Sequence, residues 1–258
     1  MAFNARQAIV TGGATGIGKA VVKQLVDSGA TVFIGDIDTA KAEETAAEIE
    51  PTGQRCRAYP LDLGDMDSID AFITSLKPAS EKMDILVNCA GIAAPEEFFE
   101  LTPQQWDRIM DINLKGTFFL SQKISKGMSE AKYGRIVNLS SASAFTPSTR
   151  PMVSYDVSKA ALVMLTKVMA LKLAPYGVTV NSGAPGPVVT DLLRQFFDDP
   201  DTLEKGVEDI PVGRLAQPED VVEAILFFCS ERSGYITGTT LPVEGGNLLV
   251  KHIVYGVE

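Results

Sequence analysis

Tyr155 and Lys159 stand four residues apart in Tyr155-Asp156-Val157-Ser158-Lys159, a spacing that puts both side chains on one face of a helix. A phenol beside an ammonium can do acid–base work. The cation favours phenolate, so the ordinary tyrosine pKa of about 10 can fall towards the working pH. The pattern is common on solvated helix faces and gains weight only in company. Ser140-Ser141 follow the apolar run from Gly134 to Leu139 and offer a hydroxyl that could donate to a substrate oxygen. Asn88-Cys89-Ala90-Gly91 close another apolar run. Asp111-Ile112-Asn113 lie inside a long helical segment, where an asparagine is either surface decoration or the mark of a local break that binds water.

A second set of residues lies near the start of the chain. Thr11-Gly12-Gly13-Ala14-Thr15-Gly16-Ile17-Gly18 follow the first apolar run and open an amphipathic segment. Such glycines permit a tight turn and let backbone N–H groups and a helix N-terminus approach a pyrophosphate. The turn alone is weak evidence, but its place between a buried strand and a helix strengthens it. The second apolar run ends at Asp36, whose carboxylate can accept hydrogen bonds from both ribose hydroxyls of an adenosine and would repel a 2′-phosphate. Ile37 and Asp38 follow it, and Ala14-Thr15 bring no cation into the turn, so the expected cofactor is NAD, not NADP.

The elements that must position these residues alternate. Ala8–Val10, Thr31–Ile34, Ile85–Val87, Ile136–Leu139, Val178–Val180 and Thr240–Val243 are short, apolar and rich in β-branched residues, as parallel strands buried on both faces are. Between them, helical spacing predicts helices from about Ile17 to Ser28, Thr39 to Ile49, Ser68 to Leu76, Pro103 to Ser129, Ser154 to Leu173 and Pro218 to Ser230. The alternation predicts an α/β fold, a doubly wound parallel sheet with helices on both faces. With no internal repeat or linker, residues 1–258 read as a single domain. Ligands of such sheets bind at the carboxyl ends of the strands, which is where both sets of residues fall.

Composition removes several other functions. The 258 residues are 45% hydrophobic and 22% charged, enough apolar material for a full core. The net charge of −10 disfavours a nucleic-acid partner. Cys56, Cys89 and Cys229 form no CxxC pair, which fits free thiols in a reducing cytoplasm. One histidine, His252, cannot supply a usual metal cluster. No apolar run is long enough to span a membrane, and the first residues show no signal-peptide pattern; a cytoplasmic location is expected.

Taken together, Thr11-Gly12…Gly16-Ile17-Gly18, Asp62, Asn88…Ala90-Gly91, Asn113, Ser141, Tyr155…Lys159 and Pro185-Gly186 make the chain resemble the short-chain dehydrogenase/reductase family over nearly its whole length. The resemblance implies a Rossmann-type sheet and hydride transfer between NAD(H) and an alcohol or carbonyl carbon. It implies that Tyr155 is the general acid/base and that Lys159 lowers its pKa and holds the nicotinamide ribose. Ser141 would polarise the carbonyl, and Asn113 would hold a water linking Lys159 to solvent. Gly12, Thr15, Gly16, Ile17 and Gly18 would cradle the pyrophosphate. Asp62 and Leu63 would meet the adenine, and Asn88, Ala90 and Gly91 the adenosine ribose. Pro185, Gly186, the backbone of Val188 and the Thr190 hydroxyl would bind the carboxamide. The chain departs from the family pattern in four ways: Cys89 replaces an asparagine; the Ser141–Tyr155 interval is one residue longer, so that Ser140 or Ser143 could replace Ser141; Gly183 replaces a β-branched residue and could leave space near the nicotinamide; and a tail, Val250 to Glu258, follows Gly245-Gly246.

Residues 188–210 have the composition of a substrate lid or of an ordinary surface helix, with Leu192, Leu193, Phe196 and Phe197 among many acids. Their charge disfavours anionic substrates and weighs against a 3-oxoacyl-thioester reductase. A neutral polyol, sugar alcohol, hydroxyketone, or aryl or alicyclic alcohol is the expected substrate. A non-catalytic NAD(H)-binding regulator would be expected to lose Tyr155 or Lys159, and an epimerase needs more chain after Lys159. Helices 103–129 and 154–173 carry more apolar residues than one sheet face needs. In the family resembled such helices pair across two-fold axes, so a homotetramer is expected.

Overall fold

The computed structural model describes residues 2–76, 82–148, 150–195, 207 and 210–250. Seven strands form one sheet: β1 (Gln7–Thr11), β2 (Thr31–Asp36), β3 (Cys56–Pro60), β4 (Ile85–Asn88), β5 (Gly134–Leu139), β6 (Val178–Pro185) and β7 (Thr240–Val243). They lie in the order β3-β2-β1-β4-β5-β6-β7, every pair parallel. The order reverses between β1 and β4, and a crevice opens at such a switch point.

Among the described residues eight α-helices accompany the sheet: α1 (Gly16–Asp27), α2 (Thr39–Ile49), α3 (Met66–Ser75), α4 (Pro103–Met110), α5 (Thr117–Glu130), α6 (Val153–Leu173), α7 (Asp191–Arg194) and α8 (Pro218–Cys229). On α1 the buried residues Gly18, Val21, Val22, Leu25 and Val26 repeat at helical spacing. They pack with Val221, Val222 and Ile225 of α8 on one face of the sheet. Ile69, Phe72, Leu120, Ile124, Met128 and Met169, from α3, α5 and α6, cover the other. Strands β4, β5 and β6 are buried along their whole length because both faces are covered.

The segment expected as one helix from Pro103 to Ser129 is interrupted. Thr102 and Gln105 form a capping box at its start. Between α4 and α5 the chain widens into a π-helical turn, Asp111–Gly116, centred on the asparagine flagged in the sequence. Two contacts hold the widened turn. Asn113 bonds out of the helix, and Gly116 presses so closely on Leu63 that a β-carbon would fall 2.0 Å from the Leu63 carbonyl oxygen. The other correction is β6, five residues longer than Val178–Val180. Its polar residues are paired inside the structure: Asn181 Nδ2 donates to the Ile236 carbonyl (2.9 Å), and Ser182 Oγ to that of Asn138 (3.0 Å).

Candidate active site

The carboxyl ends of β1, β4, β5 and β6 converge with the start of α6. At the switch point the Ala90 N–H donates to Thr11 Oγ1 (3.1 Å), tying β4 to the Gly-rich turn. That turn is compact because it carries no side chains where it is tightest. Gly12 has φ +65°, and a β-carbon on it would lie 2.7 Å from Ala90 Cα; one on Gly18 would lie 2.0 Å from the Gly12 carbonyl oxygen. No side chain caps the N-terminus of α1, so its first N–H groups are available to an anion. Asp36 closes the turn from the side: its carboxylate accepts from the Ala14 N–H (3.0 Å) and the Asp38 N–H (3.0 Å). The glycine cradle, uncapped helix and strand-end carboxylate are the donor and acceptor set that a dinucleotide needs, and the residues present fit one.

At the other end α6 is fixed by a residue that sequence reasoning missed. Glu96 is buried, and its carboxylate accepts from both the N–H (2.8 Å) and the hydroxyl of Ser154. A carboxylate at that end also complements the helix dipole. Its own N–H donates to the Pro151 carbonyl (2.7 Å), beside a bridge to Met152. Nothing in the local sequence marks Glu96, because the contact spans 58 residues.

Tyr155 and Lys159 project from the first turns of α6 towards β5, the Lys159 ammonium 5.5 Å from the centre of the Tyr155 ring. Lys159 Nζ donates to the Leu139 carbonyl (2.9 Å). Burial pulls the Lys159 pKa down to about 8 and pushes that of Tyr155 up to about 12, the Ser141 hydroxyl hydrogen-bonding the phenol and opposing the rise. The fall in Tyr155 pKa foreseen from the neighbouring lysine is not found, because desolvation outweighs it. All three candidate serines line the cavity, and Ser141 is the one whose side chain interacts with the Tyr155 phenol. Ser140 is buried and donates to the Lys159 carbonyl (2.9 Å), and Ser143 gives its N–H to Ser141 Oγ (3.2 Å).

Asn113 is buried behind this pair. Its amide oxygen accepts from the Ile92 N–H, and its Nδ2 donates to the Ile92 carbonyl and to Ser158 Oγ (2.9, 2.9 and 3.1 Å). Both amide donors are thus engaged, and a water between Asn113 and Lys159 would have to meet an acceptor. Asn88 differs from its expected role. Its side chain is buried, donates to Ser121 Oγ (3.0 Å) and Asn138 Oδ1 (2.8 Å), and so faces α5; only its main chain remains for a ribose. Asp62 Oδ1 accepts from the Gly64 N–H (2.8 Å), and the Leu63 side chain is in the core.

Ser141, Tyr155 and Lys159 line a cavity of about 330 Å³ together with Ile17, Gly91, Pro185, Gly186, Val188 and Thr190, within the usual size for small-molecule sites. The bridge to Ala216 uses the main-chain groups of Pro187 and Val189, which turns the Val188 N–H away from it. Cys89 also lines the cavity, its thiol pushed up to about 12 by burial. Gly183 does not; a β-carbon there would meet only Ile225 and Leu139, at 3.9 and 4.0 Å, so the spare volume lies under α8. The sequence also gave no sign of Ser148, Arg150, Met152, Asn247 and Leu248 in the cavity wall. Of the segment 188–210, Leu192 and Leu193 line the cavity, while Phe196, Phe197 and most of its acids lie outside the described residues, as do His252 and most of the tail. Among the described residues no helix is long and apolar enough to cross a membrane.

Comparison with known proteins agrees with this geometry. A family described as enoyl-(acyl carrier protein) reductase matches residues 12–247. The 3-oxoacyl-[acyl-carrier-protein] reductase FabG of Aquifex aeolicus is 36% identical over 92% of this chain and 95% of its own. An NAD-dependent glycerol dehydrogenase of Listeria innocua is 36% identical over 93% and 92%. Among solved structures, a 3-ketoacyl-(acyl-carrier-protein) reductase from Brucella melitensis complexed with NADH superposes with a TM-score of 0.87, at 32% identity, over 95% of this chain and 99% of that one. The sheet, the Gly-rich turn, the Tyr155–Lys159 helix and these likenesses have one reading: the chain belongs to the short-chain dehydrogenase/reductase family of nicotinamide-dependent oxidoreductases.

Proposed function

We propose that the protein interconverts a secondary alcohol and its ketone with NAD(H) as the hydride carrier. The observation that carries the reaction is the half-buried Tyr155 phenol beside the Ser141 hydroxyl on the wall of a cavity that Lys159 shares. Two hydroxyls converging on one point can bind one substrate oxygen, Ser141 donating to it while Tyr155 gives or takes its proton. Reduction uses the phenol as it stands; oxidation needs phenolate, which the Lys159 ammonium favours. Bound nicotinamide supplies or accepts the hydride. The chain's part is to hold it: Gly12, Thr15, Gly16, Ile17 and Gly18 at the pyrophosphate, Asp36 at the ribose, Asp62 and Leu63 at the adenine, and the main chain of Asn88, Ala90 and Gly91 along the adenosine side. Lys159, Pro185, Gly186, Val188 and Thr190 hold the nicotinamide half.

Asp36 supports NAD over NADP, since a carboxylate at the end of β2 would repel a 2′-phosphate and Ile37, not a cation, follows. The name of the Listeria relative agrees. The reductase relatives support a second reading, reduction of a 3-oxoacyl thioester. Absorbance at the reduced-nicotinamide band separates the two: NAD and NADP are screened with secondary alcohols and polyols, NADH and NADPH with ketones and acetoacetyl-coenzyme A. Turnover of alcohols or ketones with the NAD couple supports the first reading; NADPH-linked reduction of the thioester alone replaces it.

The protein is taken as one domain that assembles as a homotetramer in the cytoplasm. Exposed Val157, Met164, Val168 and Leu171 lie within one narrow face of α6, an apolar stripe that a second copy would cover.

A further inference from the structure

Asp156 has no part in the chemistry described so far, although it directly follows Tyr155 on α6. Neighbouring residues on a helix point about 100° apart, so the two side chains leave the first turns of α6 in different directions. Both reach the segment 141–148, which follows β5 and carries the hydroxyl that meets the phenol. Tyr155 meets it at its beginning, through Ser141. Asp156 meets it at its end, where its Oδ2 accepts from the Ser148 N–H (2.8 Å).

A third contact lies between these two. The Ser143 side chain also interacts with the Asp156 carboxylate, and the Ser143 N–H donates to Ser141 Oγ (3.2 Å). The carboxylate is therefore connected to the Ser141 hydroxyl through one residue. Within the segment the Ala144 N–H donates to the Ser141 carbonyl (3.0 Å) and the Phe145 N–H to that of Ala142 (3.0 Å), which makes a single 3₁₀ turn, Ala142–Ala144. The hydrogen-bond geometry of such a turn is poor, and Asp156 ties it to α6 at two points. Partial burial and the nearby Glu96 carboxylate raise the Asp156 pKa, while the Ser148 N–H and the Ser143 side chain favour the ionised form. A carboxylate partly removed from water is stabilised where such donors meet it.

We propose that Asp156 is a positioning residue: by gripping Ser143 and Ser148 it holds the segment 141–148 against α6, so that the Ser141 hydroxyl stays on the Tyr155 phenol where the substrate oxygen must bind. The proposal rests on the dehydrogenase reading for its effect on turnover, but not for the grip itself. A carboxylate in the first turn of a helix ordinarily serves to complement the dipole. The two roles have different chemical requirements. The dipole needs the negative charge; the grip needs an oxygen that accepts and a side chain that reaches, and asparagine has both.

The test compares Asp156→Asn, Asp156→Ala and Asp156→Ser, each alone and combined with Ser141→Ala. Turnover is measured with any alcohol or ketone found by the nicotinamide screen, NADH affinity by fluorescence titration, and amide exchange of the segment 141–148 by mass spectrometry. Asp156→Ala should lower kcat by about 10- to 100-fold, since a misplacement of about 1 Å costs on the order of 10²-fold, and change NADH affinity by less than about 3-fold. It should also speed exchange at Ser143 and Ser148. Asp156→Ser, too short to reach, should behave in the same way and serves in its place where the alanine variant does not fold. Asp156→Asn should recover most of the turnover and of the protection; a carboxylate that only complements the dipole would be lost in asparagine and alanine alike. In the Ser141→Ala background the alanine substitution should cost less than about 3-fold more, because the group it positions is gone. An unchanged kcat in Asp156→Ala, equal losses in the asparagine and alanine variants, or full additivity with Ser141→Ala overturns the proposal. If wild type oxidises or reduces none of the screened compounds, the dehydrogenase reading fails and amide exchange decides the grip. Faster exchange in the alanine variant but not in the asparagine variant then sustains it, and unchanged exchange overturns it.

Discussion

Replacing Lys159 with methionine should stabilise the ligand-free protein at neutral pH. The ammonium is buried, and its only compensation among the hydrogen bonds described is the one it donates to the Leu139 carbonyl. Its pKa falls from the ordinary 10.5 to about 8 because burial disfavours the charge. Each unit of that gap is worth about 1.36 kcal/mol, so holding the proton in the folded state costs roughly 3 kcal/mol at pH 7. Methionine removes this cost and forfeits one hydrogen bond, about 1 kcal/mol, for a net gain of about 2 kcal/mol. In a chain of this length that raises Tm by about 4–8 °C. The sign with pH is fixed as well. Between pH 8 and 10.5 the unfolded chain binds the proton more tightly than the folded one, so wild-type stability relative to the variant must rise with pH across that window and level off below it. Urea or thermal unfolding of both proteins from pH 6 to 10.5 reads the difference directly, with other titrating groups cancelling. A variant less stable than wild type at pH 7, with a difference that does not change with pH, would refute the buried-charge argument.

Three further outcomes are expected. Asp36→Ala should lower kcat/KM with NAD by about 10- to 100-fold, the scale of a charged hydrogen bond, while that with NADP holds or rises. The ratio of the two cofactors is the readout, because Asp36 also accepts from Ala14 and Asp38, and an unchanged ratio rejects the assignment. Gly183→Ala should raise stability by about 0.5–1 kcal/mol in urea unfolding, since a strand glycine wastes chain entropy and the added carbon meets nothing closer than 3.9 Å; destabilisation would show that the space under α8 is not available. Light scattering should give a tetramer of the 27.6 kDa chain; a monomer at micromolar concentration would leave the apolar stripe of α6 unexplained.

The sheet and its catalytic edge were legible because each depends on local pattern. Short β-branched runs marked most strands, and the Tyr155–Lys159 spacing placed both groups on one helix face. What escaped notice depends on partners distant in sequence. The extension of β6 through Asn181-Ser182-Gly183 reads as polar loop, and it is a strand because Ile236 and Asn138 satisfy its side chains. Asn113 reads in the sequence as either decoration or a local break, and the π turn it sits in is set by Leu63 and Ile92, which are distant in the chain. The shift in Tyr155 went opposite to the local reading, because a lysine on the same face is visible in the sequence and the depth of burial is not. Glu96 and Arg150 were missed for a similar reason. A single glutamate or arginine in a loop has no periodicity, and its place becomes evident only when the loop is seen docked against α6.

The most direct test of the proposed chemistry is the turnover of Tyr155→Phe. The substitution keeps the ring and removes only the hydroxyl that meets Ser141. With any substrate found by the nicotinamide screen, oxidation near pH 9 should show kcat reduced by at least about 10²-fold, the scale of positioned acid–base catalysis. The affinity for NADH, read by fluorescence titration, should change by less than about 3-fold, since the phenol is not what holds the cofactor. Retention of most of the wild-type kcat in a variant that binds NADH normally would contradict the assignment of Tyr155 as the proton-exchanging group.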